Sequence, residues 1–356
     1  MNLLRILDLG AVPPVRSQSV YHAVAHGMTP ETPDTVILVS PSDPYVCIGF
    51  HQELEKEVDL EYCRRNNLPV FRREVGGGAV YLDSGQLFVQ WVFRPGRLPV
   101  DLNRRFELYV RPLVETYHAF GIDAYYRPIN DIHVGGKKIG GTGAALMGNA
   151  EVVVGSLMFT FDKRTMASVL KVSSEKMRDK IFESLEQYMT TMEDQLGSLP
   201  GRESVKKAYL EDCARILGVQ LVSGVWTEKE ETLACEWDKR LGSEDWLSQR
   251  GGLRKSGVKI HEDVRVVEGA FKAPGGLIRV TARLSDGLID DITFSGDFTL
   301  FPSAALNGLE LAARGARAET GPLASAFEAA YRALAIEAPG VSPQDFVCAV
   351  RNAVES

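Results

Sequence analysis

Histidine is scarce, six in 356 residues, and shows no HExxH motif, which removes the commonest zinc-hydrolase pattern. Cysteine is scarcer still. Cys47, Cys63, Cys213, Cys235 and Cys348 are odd in number and widely spaced, so they make neither a disulfide framework nor a CxxC metal pair. Reduced thiols in a cytoplasmic protein are the expectation. There is no long basic run, and the formal net charge is −7, against the Lys- and Arg-based phosphate neutralisation of a dedicated nucleic-acid binder. No apolar run approaches the roughly 20 residues needed to cross a bilayer. Residues 1–8 are too short and interrupted for a signal-peptide core. Neither nucleic acid nor membrane is an expected partner.

What is present is an ordinary globular composition, 45% hydrophobic and 24% charged, which points away from disorder. Its length exceeds the usual single domain, so one large or two unequal domains are expected. Val36 to Val39, Tyr45 to Gly49, Leu87 to Phe93 and Glu151 to Phe161 read as strands. Asp59 to Asn67 reads as a short helix. Phe106, Tyr109, Val110, Leu113, Val114 and Tyr117 recur at helical spacing, with Gly121 placed as a C-terminal cap. Hairpins and helices are mixed, without a regular βαβ series.

The stretch from Thr227 to Gly252 is polar, anchored by Trp237 and Trp246, and the domain boundary is placed at its end, giving domains 1–252 and 253–356. In the tail Leu277 to Leu284 alternates, Ser285-Asp286-Gly287 turns, and Leu288 to Phe294 returns. Ser303 suits a helix cap. Leu323, Phe327, Ala330, Tyr331 and Leu334 form one helical face, and Ser342-Pro343-Gln344-Asp345 opens a last helix.

Two segments carry chemistry. In Arg72-Arg73-Glu74-Val75-Gly76-Gly77-Gly78-Ala79-Val80-Tyr81 three glycines beside a strand cost entropy that a close backbone approach would offset. A ligand anion facing free N–H groups is one reading, with an arginine holding phosphate or carboxylate; a turn with two solvated arginines is the other. No Gly-Lys-Ser/Thr follows, so this is not a Walker A loop, and Gly140-Gly141-Thr142-Gly143 does not complete GxGxxG. In the second segment, from Asn130 to Gly141, Gly135-Gly136 marks a tight hairpin. Alternation sends Lys137 and Lys138 to opposite faces, so one can enter a cleft and stabilise charge developing as a carboxylate attacks an α-phosphate. A solvated surface hairpin fits the same residues.

Together the two segments resemble the lipoate–protein ligase A family of the biotin/lipoate ligase superfamily. Arg72 to Asp83 matches its R-R-x-S/T-G-G-G-A-V-Y/F-H-D motif, and Asn130 to Ala144 its N-D-…-G-x-K-I/V-S-G-S/T-A motif. Ile48-Gly49-Phe50-His51-Gln52 and Leu170 to Lys180 are similar to further family segments, and Phe294-Ser295-Gly296-Asp297-Phe298 resembles the motif of its small C-terminal accessory domain. The resemblance implies a biotin/lipoate ligase-like, class II synthetase-like α/β (α+β) fold: a mixed, mainly antiparallel sheet with flanking helices, plus a small α+β C-terminal domain. It implies ATP and Mg²⁺ as cofactors, lipoate or octanoate as the acid, and a lipoyl-domain lysine as acceptor. Lys138 is the implied catalytic residue. Arg72, Gly76, Gly77, Gly78, Ala79, Val80, Tyr81, Asn130, Asp131, Gly141, Thr142 and Gly155 are the implied acyl-adenylate contacts, with no metal ligands.

Three departures stand out. Val75 replaces the family Ser/Thr, Leu82 its His, with Ser84 and Gln86 for the usual Leu and Asn, and Val154 stands where a histidine is common. Octanoyltransferases of the superfamily need a nucleophilic cysteine, and neither 125–129 nor 162–173 supplies one. Biotin ligases share a sequence like Lys138-Ile139-Gly140-Gly141 but carry a G-R-G-R-x-G loop. A non-catalytic acyl-binding protein is the remaining alternative.

Overall fold

The computed structural model describes residues 3–250 and 264–355. Two compact units emerge. The first comprises Met1–Cys47, Val58–Phe71 and Val80–Trp246; the second comprises Ile48–Glu57, Arg72–Ala79 and Leu247–Ser356. The division expected at 252/253 lies outside the described residues. Two loops from the first 80 residues join the second unit, because packing rather than chain order decides membership.

The first unit is built on an eight-stranded sheet. In spatial order its strands are Gln220–Ser223, Leu3–Val12, Asp34–Pro41, Gln86–Phe93, Ala150–Met158, Lys137–Met147, Asp131–Val134 and Ala124–Arg127. Leu3–Val12 runs parallel to both neighbours; the other pairs are antiparallel. This is the mixed, mainly antiparallel sheet the resemblance implied. Every residue of Asp34–Pro41 and of Gln86–Phe93 is buried, so the central strands are covered on both faces.

One face packs on the helices Leu102–Ala119 and Arg202–Leu217. The Tyr109 hydroxyl donates to the Val89 carbonyl, and Trp91 Nε1 donates to the Tyr209 hydroxyl at 2.9 Å. Gly121, just past the first of these helices, has φ +81° and returns its N–H to the His118 carbonyl. The opposite face carries the helix Pro14–Gly27, where Gln90 Nε2 donates to the Ser17 carbonyl at 2.9 Å. Sequence patterning missed that helix for a physical reason: its buried residues include Ser17, Gln18, Ser19 and His22, so it has no apolar stripe.

The polar stretch after Thr227 is also a helix, Glu228–Leu241. A capping box holds its start, with Thr227 and Glu230 satisfying each other's backbone N–H groups. Trp237 and Trp246 are buried, as anchors should be.

In the second unit Val264–Ala273, Gly276–Ser285 and Leu288–Gly296 form an antiparallel meander, joined by helices Ala305–Ala313, Thr320–Ala333 and Pro343–Glu355. Its core centres on Phe294, Phe327 and Phe346, whose rings meet edge to face 5.0–6.2 Å apart. Two local expectations change. Ala304, not Ser303, occupies the cap position and makes no side-chain cap bond. Leu334 falls beyond the end of its helix and is 38% exposed, since Leu323, Phe327 and Ala330 already fill the core side.

An ion cluster pins the start of the central strand Asp34–Pro41. Asp34 accepts from the Arg94 backbone and side chain at 3.0 and 3.1 Å and from Arg97 at 2.9 Å. Burial alone would push its carboxyl up, but the bonds from Arg94 and Arg97 more than reverse that and hold it below the ordinary range. A depressed carboxyl stabilises fully above its unfolded value, near pH 4, and loses that contribution as pH falls through the folded value. Asp34→Asn is expected to cost about 2 kcal/mol at pH 7. Denaturant unfolding at pH 7 and pH 3 checks this: the gap to the parent protein should shrink at pH 3, and an undiminished gap would mean packing, not charge, is at stake.

Candidate functional site

The hairpin of the second motif forms as its glycines dictate. Gly135 and Gly136 have φ +53° and +84°, and Asp131–Val134 pairs with the strand beginning at Lys137. The register then slips. Ile132 faces Gly140 and His133 faces Lys138, which leaves Ile139 as the extra residue of a bulge. The slip puts Lys138 on the same face as Asp131 and Gly141. Lys138 Nζ lies 2.7 Å from Asp131 Oδ1. A Cβ on Gly141 would sit 3.1 Å from that ammonium and 3.5 Å from the carboxylate, so the missing side chain keeps the pair uncovered. Lys138 remains 38% exposed. Lys137 goes the other way, and its Nζ donates to the Glu186 carbonyl.

Other motif residues of this unit have structural partners. Asn130 Nδ2 donates to the Thr142 carbonyl at 2.6 Å, and Thr142 returns bonds from its N–H and Oγ1 to the Asn130 carbonyl. They lock the entry of the hairpin to the strand behind it. Gly155 makes room on the opposite face: a Cβ there would come within 3.1 Å of the Tyr109 ring and hydroxyl. Val80 and Tyr81 begin a short strand against Cys47 and Val46, and the Tyr81 N–H points at Met166 Sδ. Burial, then the neighbouring Asp83 carboxylate, pushes the Tyr81 hydroxyl up.

The glycine triplet lies in the second unit. Arg72 is wholly buried. Its guanidinium donates to the carbonyls of Leu247 (2.7 and 3.1 Å), Phe50 (2.8 Å), Gln52 (2.6 Å) and Gly49 (3.2 Å). Arg73 braces the loop itself, donating to the Gly76 and Gly78 carbonyls at 2.8 Å. The close backbone approach inferred from the glycines is an approach to the chain. A Cβ on Gly49 would fall 1.9 Å from the Gly77 carbonyl oxygen, and one on Gly76 would fall 2.6 Å from Thr299 Oγ1. Gly77 has φ +94°. Only Gly78 has ordinary clearance, 3.8 Å from Asp297, and Ala79 follows it half-buried. Arg72 therefore braces this arrangement, its Nε, Nη1 and Nη2 all donating to backbone carbonyls.

Two more residues lie on the Lys138 face: Gln86, which stands where the family usually has Asn, and Gln90, which sequence reasoning passed over. Gln86 and Gln90 lie in the strand Gln86–Phe93, 1% and 2% exposed. Both polar atoms of the Gln86 amide, and Gln90 Oε1, have no hydrogen-bond partner among the described residues. The signal was available: two amides in an otherwise apolar strand. Among the described residues no three His, Cys, Asp or Glu side chains gather as a metal site.

Residues 14–214 match the lipoyl protein ligase A/B catalytic domain. A lipoate-protein ligase A subunit of Thermoplasma acidophilum is 30% identical over 252 residues, covering 68% of this chain and 92% of its own. The octanoyltransferase LipM of Moorella thermoacetica is 25% identical over 271 residues, 69% of this chain and 98% of its own. A solved lipoate-protein ligase A bound with ATP superposes with a TM-score of 0.60 at 26% identity, covering 68% of this chain and 98% of its own. With the catalytic domain matched over more than half its length, the chain is an enzyme of the lipoyl protein ligase A/B family.

Proposed function

We propose that the chain activates lipoate or octanoate with ATP and passes the acyl group to a lysine of a lipoyl domain, in the cytoplasm. The observation that carries this reading is the Lys138 ammonium, turned by the bulge onto a glycine-bared face beside Asp131. A carboxylate oxygen attacks the α-phosphorus of ATP, the bond to pyrophosphate breaks, and the acyl-AMP remains. Lys138 stabilises the charge that builds on the phosphoryl oxygens. The acceptor amine then attacks the acyl carbon, AMP leaves, and the amine loses a proton. Mg²⁺ fits as an ion carried by the nucleotide's phosphates, which needs one or two protein carboxylates at most; Asp131 is the carboxylate at hand.

The Moorella relative favours a second reading, acyl transfer from a thioester carrier. Such transfer calls for an accessible thiolate. Cys47, Cys63 and Cys213 are buried, and burial pushes the thiols of Cys63 and Cys213 up to about 11 and about 12. Exposed Cys235 lies in the helix Glu228–Leu241, donating to Glu231. The ligase reading is the stronger.

Pyrophosphate release with ATP and Mg²⁺, compared for lipoate, octanoate and biotin, tests it directly. Release dependent on lipoate or octanoate is expected; release with biotin alone, or transfer only from an octanoyl thioester, would overturn it. Lys138→Ala should lower adenylate formation at least about 100-fold with an unchanged melting temperature. Near-parental turnover in that variant would remove Lys138 from the chemistry. Arg72→Met should behave differently, losing about 3 kcal/mol or more of stability because four backbone carbonyls lose their donor. Thermal unfolding of the two variants side by side separates the reacting lysine from the structural arginine.

A further inference from the structure

On the face that carries Lys138, the sheet is a grid whose rows follow from register. Gly141 faces Asp131 on one side. Gly155 faces both Thr142 and Val89, and the next step along brings Ser156 opposite Phe88 and beside Gly141. Phe88 therefore shares a row with the Lys138–Asp131 pair. Gln86 and Gln90 flank Phe88 on the same face, since they lie two residues to either side of it in a strand. Two strand-to-strand steps separate the Lys138 strand from theirs, about 10 Å across the sheet. That is the reach of a medium-length acyl chain whose carboxyl end lies at Lys138.

The two amides are poorly served by the protein. Among the described residues Gln90 gives its Nε2 to the Ser17 carbonyl but its Oε1 has no donor, and the Gln86 amide has neither donor nor acceptor. Leaving such groups buried and unsatisfied costs stability, and an apolar residue of similar shape would avoid the cost. Gln90 also stands directly opposite Val154, the position at which the resemblance led us to expect a histidine. A hydrogen-bonding side chain is thus present on this part of the face, supplied from the neighbouring strand.

Resting on the ligase reading above, we propose that Gln86 and Gln90 determine acid specificity, and that the preferred substrate is a medium-chain carboxylic acid bearing a donor-and-acceptor group, such as a hydroxyl or thiol, in its distal half. Octanoate has no such group, and a closed dithiolane ring offers no donor to either Oε1. An alcohol or a reduced dithiol offers both.

The test compares 8-hydroxyoctanoate with octanoate in the full-length protein, by calorimetric binding and by pyrophosphate release, for the parent and for a Gln86→Leu, Gln90→Leu double variant. The parent should bind and activate the hydroxy acid at least about tenfold better than octanoate, because the amides are satisfied only by the former. The double variant should lose that preference, while Gln86→Leu alone raises the melting temperature by about 2–4 °C as the unsatisfied amide is removed. Equal binding and release for both acids in the parent would overturn the proposal and leave the ligase reading standing; an interior water satisfying the amides would give that pattern. Preferential binding of the hydroxy acid, lost in the variant, with no pyrophosphate from any acid would keep the specificity assignment and sink the ligase reading. Binding of neither acid would overturn the proposal.

Discussion

One inserted residue decides which lysine of the hairpin shares a face with Asp131 and Gly141. Strict alternation would place Lys138 on the face opposite Gly141, among the side chains that pack on Tyr109. The bulge at Ile139 reverses that parity, and Lys138 meets Asp131 across a position kept bare by glycine. The backbone groups around the bulge are not left idle. The Lys138 carbonyl accepts from the Thr190 N–H at 2.9 Å, and the Ile139 carbonyl accepts from the Tyr117 hydroxyl. The distortion is held by an in-plane bridge and by a helix tyrosine, so the direction in which Lys138 leaves the backbone is a property of the sheet.

The glycine loop follows a different logic. Its sequence suggests openness, yet at Gly49 and Gly76 other backbone passes through the space a side chain would take, and Gly77 adopts a positive φ with the Arg73 guanidinium where its Cβ would be. The Arg72 guanidinium gathers carbonyls from 49, 50, 52 and 247 onto one planar fork, a task for which lysine's point charge is unsuited. Rigidity here is a precondition of function: backbone N–H groups can bind an anion with little reorganisation only if the loop is already fixed. An arginine spent on structure is therefore compatible with the ligand-binding role proposed for the loop.

How much of this was legible in the sequence depended on whether a local rule or a distant partner controlled the feature. The Gly135-Gly136 turn, the Leu102–Ala119 helix with Gly121 behind it, and the opposed directions of Lys137 and Lys138 follow from local periodicity and positive φ, and the sequence carried them. The Glu228–Leu241 helix was hidden only because polarity was weighed above Thr227 and Glu230, a capping box in plain view. The helix Pro14–Gly27 was hidden for a deeper reason, since it buries Ser17, Gln18, Ser19 and His22 along with its apolar residues, and its partners, Tyr45 and Gln90, lie in strands far along the chain. Arg72 shows the limit: alternation could say that it and Arg73 diverge, but not that its donors go to carbonyls as distant as Leu247.

The same distinction explains why Gln86 and Gln90 are informative. Local consistency is what folding selects, and a strand reading Gln-Leu-Phe-Val-Gln-Trp-Val-Phe is expected to be more stable with leucine in place of Gln86. Buried polar groups without partners persist when something other than stability maintains them. Among the described residues Gln90 is held only through its Nε2, by the Ser17 carbonyl, and the Gln86 amide by nothing; both share a face with the ammonium that the bulge delivers. A cost carried in the unliganded protein and relieved by a bound acid is how a pocket discriminates between chains of equal length, because an acid without the matching group leaves the amides unsatisfied and gains only its hydrophobic burial.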